Sequence, residues 1–122
     1  MRLLGELEHE VMSVLWTRED AATIREVVEI VETRREVAYT TVMTIMNRLV
    51  EKGLLSRSEK ETPHRFLPCQ NEQETYRRLA GTILTEIHAN FGDLAIACFA
   101  EEAEKIKRSI VLAKTYPVFM GV

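Results

Sequence analysis

The chain has 122 residues, enough for one domain, or for a small domain with a helical appendage, but too few for two independent cores of ordinary size. Its net charge of −3 on its face disfavours a nucleic-acid partner, because phosphate attracts basic surfaces. No stretch approaches the apolar length of a membrane span, and Met1-Arg2-Leu3-Leu4-Gly5-Glu6 turns acidic too soon for a signal peptide. The two cysteines, Cys69 and Cys98, have neither CxxC spacing nor a nearby histidine, which leaves no template for a zinc site or a redox pair. A cytosolic, soluble protein is therefore expected, without membrane insertion, cofactor or metal, and with both thiols reduced and buried.

In chain order, Leu4, Leu7, Val11, Val14 and Leu15 recur at three- and four-residue steps and predict an amphipathic helix from residue 6 to 17, closed by Trp16 as a core anchor. Thr23 and Glu26 form a capping-box pair, so a second, short helix starts there, with Ile24, Val27, Val28 and Val31 as its apolar stripe and Arg25, Glu26, Glu29 and Glu32 opposite. A third helix, Thr40 to Lys52, follows from Val42, Ile45, Met46 and Leu49 and stops at Gly53. Leu54 to Glu59 and His64 to Leu67 read as a β-hairpin around Lys60-Glu61-Thr62-Pro63, ending at Pro68. Asn71 with Glu74 opens a long fourth helix reaching Asn90, Asp93 caps a fifth, and a last one carries Ile106, Ile110, Val111 and Leu112 up to Pro117.

Three helices followed by a two-stranded hairpin is the order of a winged helix. The fold expected is mainly α with a small β-hairpin wing: a winged helix-turn-helix domain over residues 1–69, then a helical dimerisation segment over 70–122. The C-terminal stripes admit two readings, an intrachain core or an interface between copies, and the second is favoured because three separate short helices seldom close a core. Its candidate residues are Tyr76, Leu79, Ile83, Ile87, Leu94, Phe99, Ile106 and Ile110.

Charge is unevenly spread. Residues 1–32 hold three basic side chains against eight acidic, whereas 33–69 hold seven basic (Arg34, Arg35, Arg48, Lys52, Arg57, Lys60, Arg65) against four acidic. The positive segment coincides with the third helix and the hairpin. If Val42, Ile45, Met46 and Leu49 face the core, then Thr40, Thr44, Asn47, Arg48 and Glu51 face outward with Thr41 and Met43 on the flanks, a mostly uncharged face whose Thr, Met and Asn suit phosphates, thymine methyls and adenine edges. Arg57, Lys60, His64 and Arg65 on the hairpin suit phosphate contact. The same types also suit a solvated helix and a hairpin kept soluble; the clustered charge favours DNA. An enzyme is not expected: His9, His64 and His88 are scattered, no glycine-rich phosphate loop, GxSxG or HExxH occurs, and Glu8 and Glu10 beside His9 read as a solvated helix face. A protein-interaction module on a winged-helix scaffold, docking a partner through its apolar C-terminal helices, is the alternative.

Leu4-Gly5-Glu6-Leu7-Glu8, Val11-Met12, Leu15-Trp16, Ala38-Tyr39-Thr40-Thr41-Val42-Met43-Thr44, Arg48-Leu49, Lys52-Gly53-Leu54 and His64-Arg65-Phe66-Leu67-Pro68 together resemble the penicillinase-repressor (BlaI/MecI) family. The resemblance implies a winged-helix homodimer that represses genes such as those for β-lactamase or the cell wall by binding inverted repeats with TACA and TGTA half-sites. It further implies groove reading by Thr40, Thr41, Met43 and Thr44, with Arg48 near the DNA backbone. In the family's β-lactam-responsive branch a membrane sensor with a metalloprotease domain triggers cleavage before a Phe. Cys98-Phe99-Ala100 resembles that stretch with Cys where Asn is usual, while Asn90-Phe91 lies one helix earlier. The copper-responsive branch carries a C-terminal cysteine cluster that this sequence lacks.

Overall fold

The computed structural model describes residues 4–115; residues 1–3 and the apolar tail from Tyr116, with the expected stop at Pro117, lie outside the described residues. Helices α1 (Glu6–Trp16), α2 (Ile24–Val31) and α3 (Tyr39–Glu51) are followed by strands β1 (Leu55–Arg57) and β2 (Phe66–Pro68), then by α4 (Glu72–Phe91) and α5 (Asp93–Thr115). The chain divides into two compact units, one running to Leu79 and one from Ala80.

In the first unit local chemistry sets the start of α2 and the end of α3. Thr23 N–H donates to Glu26 Oε1 (2.9 Å) and Glu26 N–H to Thr23 Oγ1 (3.2 Å), the reciprocal pair that satisfies two orphan donors of α2. Gly53 takes φ 77°, and the Leu54 N–H returns to the Leu49 carbonyl (2.9 Å), turning the chain out of α3 and into β1. The core joins Val11, Met12 and Leu15 of α1, Val27 and Val31 of α2, and Val42, Met46 and Leu49 of α3, all buried.

The hairpin is antiparallel, with Leu55 opposite Pro68, Ser56 opposite Leu67 and Arg57 opposite Phe66. Its strands are shorter than the sequence pattern implies, and Pro68 belongs to β2. The segment between α1 and α2 adds a further rung. Ala22 and Phe66 exchange both backbone hydrogen bonds (2.9 and 2.8 Å), which fixes the hairpin to the helical core. Phe66, fully buried, seals that junction.

The first unit continues past Cys69 into the opening turns of α4. Asn71 Oδ1 caps that helix by accepting from Glu74 N–H (2.8 Å), Thr75 is buried, and the Tyr76 ring meets Trp16 edge-on at 5.5 Å. Trp16 Nε1 donates to the Gln70 carbonyl at 3.3 Å. His9 stays exposed, with Nε2 2.9 Å from the Tyr76 hydroxyl, but the expectation of a solvated face around it is corrected at Glu8, which is buried.

Its acidic neighbours are also engaged. Glu8 is buried and accepts from Lys52 Nζ at 2.7 Å and from Gly5 N–H at 3.1 Å, and Glu10 pairs with Arg35 at 3.2 Å. Partners distant in sequence absorb charges that helical spacing alone assigns to solvent.

Burial pushes the Glu8 carboxyl up, but the Lys52 ammonium, the Gly5 N–H and the charge of Arg48 outweigh it and hold the pKa below the ordinary 4.5. Glu26 is likewise lowered, by the backbone N–H and hydroxyl of Thr23 against a burial effect, with Arg18 and Arg65 adding to it. Both carboxylates therefore contribute stability that is complete above 4.5 and is lost as pH falls through the lowered native values. Melting temperature followed by circular dichroism should hold steady down to that range and then drop, and Glu8→Gln should soften the drop. A melting temperature flat through the carboxylate range would contradict this assignment.

In the second unit Gly92, at φ 85°, ends α4, and His88 Nε2 lies 2.7 Å from Asp93 Oδ1 across the break. Two helices were expected beyond Gly92; there is one, of 23 residues. Residues 93–115 contain no Gly or Pro, and Phe99, Ala103, Ile106 and Ile110 continue one stripe at four-, three- and four-residue steps. No residue of α5 is buried in the single chain. The expectation of buried thiols is also corrected: Cys69 and Cys98 are free and exposed, Cys69 just past the end of β2 and Cys98 on α5, none of which is buried.

Candidate nucleic-acid interface

The side of α3 away from the core is built by its own period. With Val42, Ile45, Met46 and Leu49 inward, Thr40, Thr41, Thr44 and Arg48 stand exposed along a shallow groove. Thr44 Oγ1 donates to the Thr40 carbonyl one turn back (2.9 Å), which turns its methyl and its remaining acceptor capacity outward. Met43, 36% exposed, and the half-buried Asn47 form the other flank.

That flank borders an open groove of about 430 Å³ between α3, the hairpin and the start of α2, lined among others by Tyr39, Met43, Asn47, Arg57 and His64. Asn47 Nδ2 donates to the Met43 carbonyl (3.0 Å), and Asn47 Oδ1 accepts from Arg57 Nη1 (2.6 Å). On the hairpin, Arg57 Nε also pairs with Glu59 at 3.2 Å, His64 Nδ1 lies 2.7 Å from the Ser58 carbonyl, and Lys60 is exposed near the tip. Arg65 lies between Glu26 (3.6 Å) and Glu61 (3.5 Å).

Ion pairs therefore temper the basic segment. Arg35 is held by Glu6 and Glu10, and Lys52 by Glu8. Against that, Arg25 joins the groove from α2, with its guanidinium 5.6 Å from the centroid of the Tyr39 ring. Sequence reasoning left Arg25 on a solvated face in an acidic stretch; only the turn that brings the start of α2 beside Tyr39 reveals it.

A family model described as Penicillinase repressor matches residues 4–111. Transcriptional regulator BlaI of Mycobacterium tuberculosis, in strains CDC 1551 / Oshkosh and H37Rv, is 34% identical over 113 residues, covering 88% of this chain and 82% of the relative. The chain belongs to the penicillinase repressor family. Like other members of the penicillinase repressor family it is a transcriptional regulator and not an enzyme. Among solved structures, an hsRosR-S1 complex aligns with a TM-score of 0.52 at 20% identity, covering 90% of this chain and 94% of that one. H. salinarum RosR aligns with a TM-score of 0.51 at 20% identity, over 92% and 97%. At that identity the likeness establishes the winged-helix fold alone.

The remaining residues singled out from the sequence fall in both units of this penicillinase repressor-family chain. Tyr76 and Leu79 belong to the first unit, where Tyr76 already contacts Trp16 and His9. Ile83 and Ile87 are half-buried in the second, whereas Leu94, Phe99, Ile106 and Ile110 of α5 are exposed, Leu94 at 77%. Cys98 and Phe99 lie inside the uninterrupted α5, while Asn90 and Phe91 adjoin the break at Gly92. Among the described residues no helix is long and apolar enough to cross a membrane, and no His, Cys, Asp and Glu cluster could hold a metal ion.

Proposed function

We propose that this penicillinase repressor-family protein is a DNA-binding repressor that reads an inverted-repeat operator as a homodimer. The observation that carries the reading is the uncovered strip of Thr40, Thr41, Thr44 and Arg48 on α3, flanked by a hairpin with basic side chains. Threonine hydroxyls bond phosphates or base edges and their methyls touch thymine, so an A·T-containing half-site of the TACA/TGTA kind suits the strip. Arg48, Lys60, His64 and Arg65 fit backbone contacts beside it. Dimerisation through α4 and α5 would set two α3 helices a whole number of DNA turns apart, and a promoter overlapped by such a repeat would be blocked sterically. Target genes in β-lactam or cell-wall responses are those the family relationship favours.

Fluorescence anisotropy against a TACA/TGTA inverted repeat and a scrambled duplex, at two salt concentrations, tests the reading. Preference for the repeat by about two orders of magnitude or more is the expected result, a modest share of the range known for specific over random binding. Replacing Thr41 and Thr44 by Ala should cost about 1–3 kcal/mol for each base-edge interaction removed, with assembly intact. Equal, salt-sensitive binding to both duplexes would reduce the protein to a general DNA binder. No binding to either would favour the interaction-module alternative.

A further inference from the structure

We propose that Arg57 acts on DNA recognition through Asn47, as a clasp that ties the hairpin to α3 and takes Asn47 out of base reading. The proposal rests on the operator-reading function above. An asparagine that recognises adenine presents both its carbonyl oxygen and its amide N–H to the base edge. Here one lone pair of Oδ1 and one N–H of Nδ2 are engaged within the protein, which fixes the plane of the amide: Oδ1 accepts from Arg57 Nη1 at 2.6 Å, and Nδ2 donates to the Met43 carbonyl at 3.0 Å. Turning that amide to meet an adenine edge would strain both bonds, one of them charge-assisted and partly buried.

Arg57 is equally committed. Its Nε pairs with Glu59 on the same hairpin at 3.2 Å while Nη1 is held by Asn47, so its guanidinium is oriented from within the protein on two sides. A planar guanidinium that bridges two acceptors at fixed separation is a geometric device more than a charge source. The clasp joins α3 to the end of β1 in the groove lined by both elements, and so fixes how far the hairpin stands from the helix that enters the DNA. Base reading then falls to Thr40, Thr41, Met43 and Thr44. Arg57 and Asn47 are positioning residues.

The test is a double-mutant cycle, with wild type, Asn47→Ala, Arg57→Ala and the double variant titrated on the inverted repeat across several salt concentrations. Each single variant should lose about tenfold in affinity, the scale of one charge-assisted hydrogen bond, and the double variant no more than either single one. The salt dependence should stay that of wild type, whereas Arg48→Ala should reduce its slope by about one, as removal of a phosphate partner does. Additive losses, or a reduced slope in Arg57→Ala, would overturn the clasp by making Arg57 a phosphate contact. Relaxed preference at one base pair in Asn47→Ala alone would overturn it by making Asn47 a base reader. Should either alanine variant fold poorly, Asn47→Ser and Arg57→Gln repeat the cycle. If wild type itself shows no preference for the repeat, the operator reading fails first, and that outcome is distinct from any of these.

Discussion

Replacing Ile106 and Ile110 together by glutamate is expected to leave the protein monomeric and to weaken operator binding by on the order of a hundredfold or more. Helix α5 is 23 residues long, and nothing on it is buried in the single chain. Phe99 is 42% exposed, Ile106 63% and Ile110 50%, all on one stripe, and a soluble protein rarely leaves such a seam in water. Each isoleucine covered by a partner contributes about 1.5–3 kcal/mol, and two-fold symmetry repeats that contribution on the other subunit. Glutamate at the same places would have to bring charge into that interface, which costs more than the apolar burial forgone. In the proposed homodimer two linked α3 helices would engage two half-sites with a high effective concentration, an advantage that a monomer forfeits. Sedimentation velocity and anisotropy read the two effects separately, and circular dichroism checks that the first unit stays folded. A variant that remains dimeric would place the interface elsewhere.

Phe66→Ala carries the other large effect. Truncating a fully buried phenylalanine costs about 3–5 kcal/mol, against a whole-domain stability of about 5–15 kcal/mol. The residue also holds the two backbone bonds with Ala22 that anchor the hairpin, so the cavity opens where the wing meets the helices. Chemical denaturation should show a large fall in midpoint, and binding to the repeat should fall with it. A variant with wild-type stability would mean that the ring is not the packing element described above.

Much of the fold is legible in the sequence because it is encoded locally. The Thr23/Glu26 pair, the Val42, Ile45, Met46 and Leu49 stripe and the Gly53 stop each lie within one helix or at its end, where spacing is enough to specify conformation. What periodicity does not supply is contact across the chain. Glu8 looks solvated until Lys52, 44 residues away, is placed against it, and nothing in the spacing links His9 to Tyr76, 67 residues on. The Ala22–Phe66 rung involves too few residues to leave a strand pattern. Apolar residues spread around α5 suggest two helices, but with neither Gly nor Pro the backbone has no reason to break there. Of the candidate site, the outward set on α3 is readable from its period, whereas the commitment of Asn47 to Arg57 depends on a hairpin geometry that sequence spacing does not encode.

Four of the seven basic side chains between residues 33 and 69, namely Arg35, Lys52, Arg57 and Arg65, lie against the protein's own carboxylates. For a DNA reader this bears on the search for a target in a whole genome. Random sequence outnumbers an operator by about a millionfold or more and competes through attraction to phosphate. A protein whose cations are partly offset from within is held less tightly by that excess than an unpaired cluster would be, so more of its molecules stay available to the rare correct site.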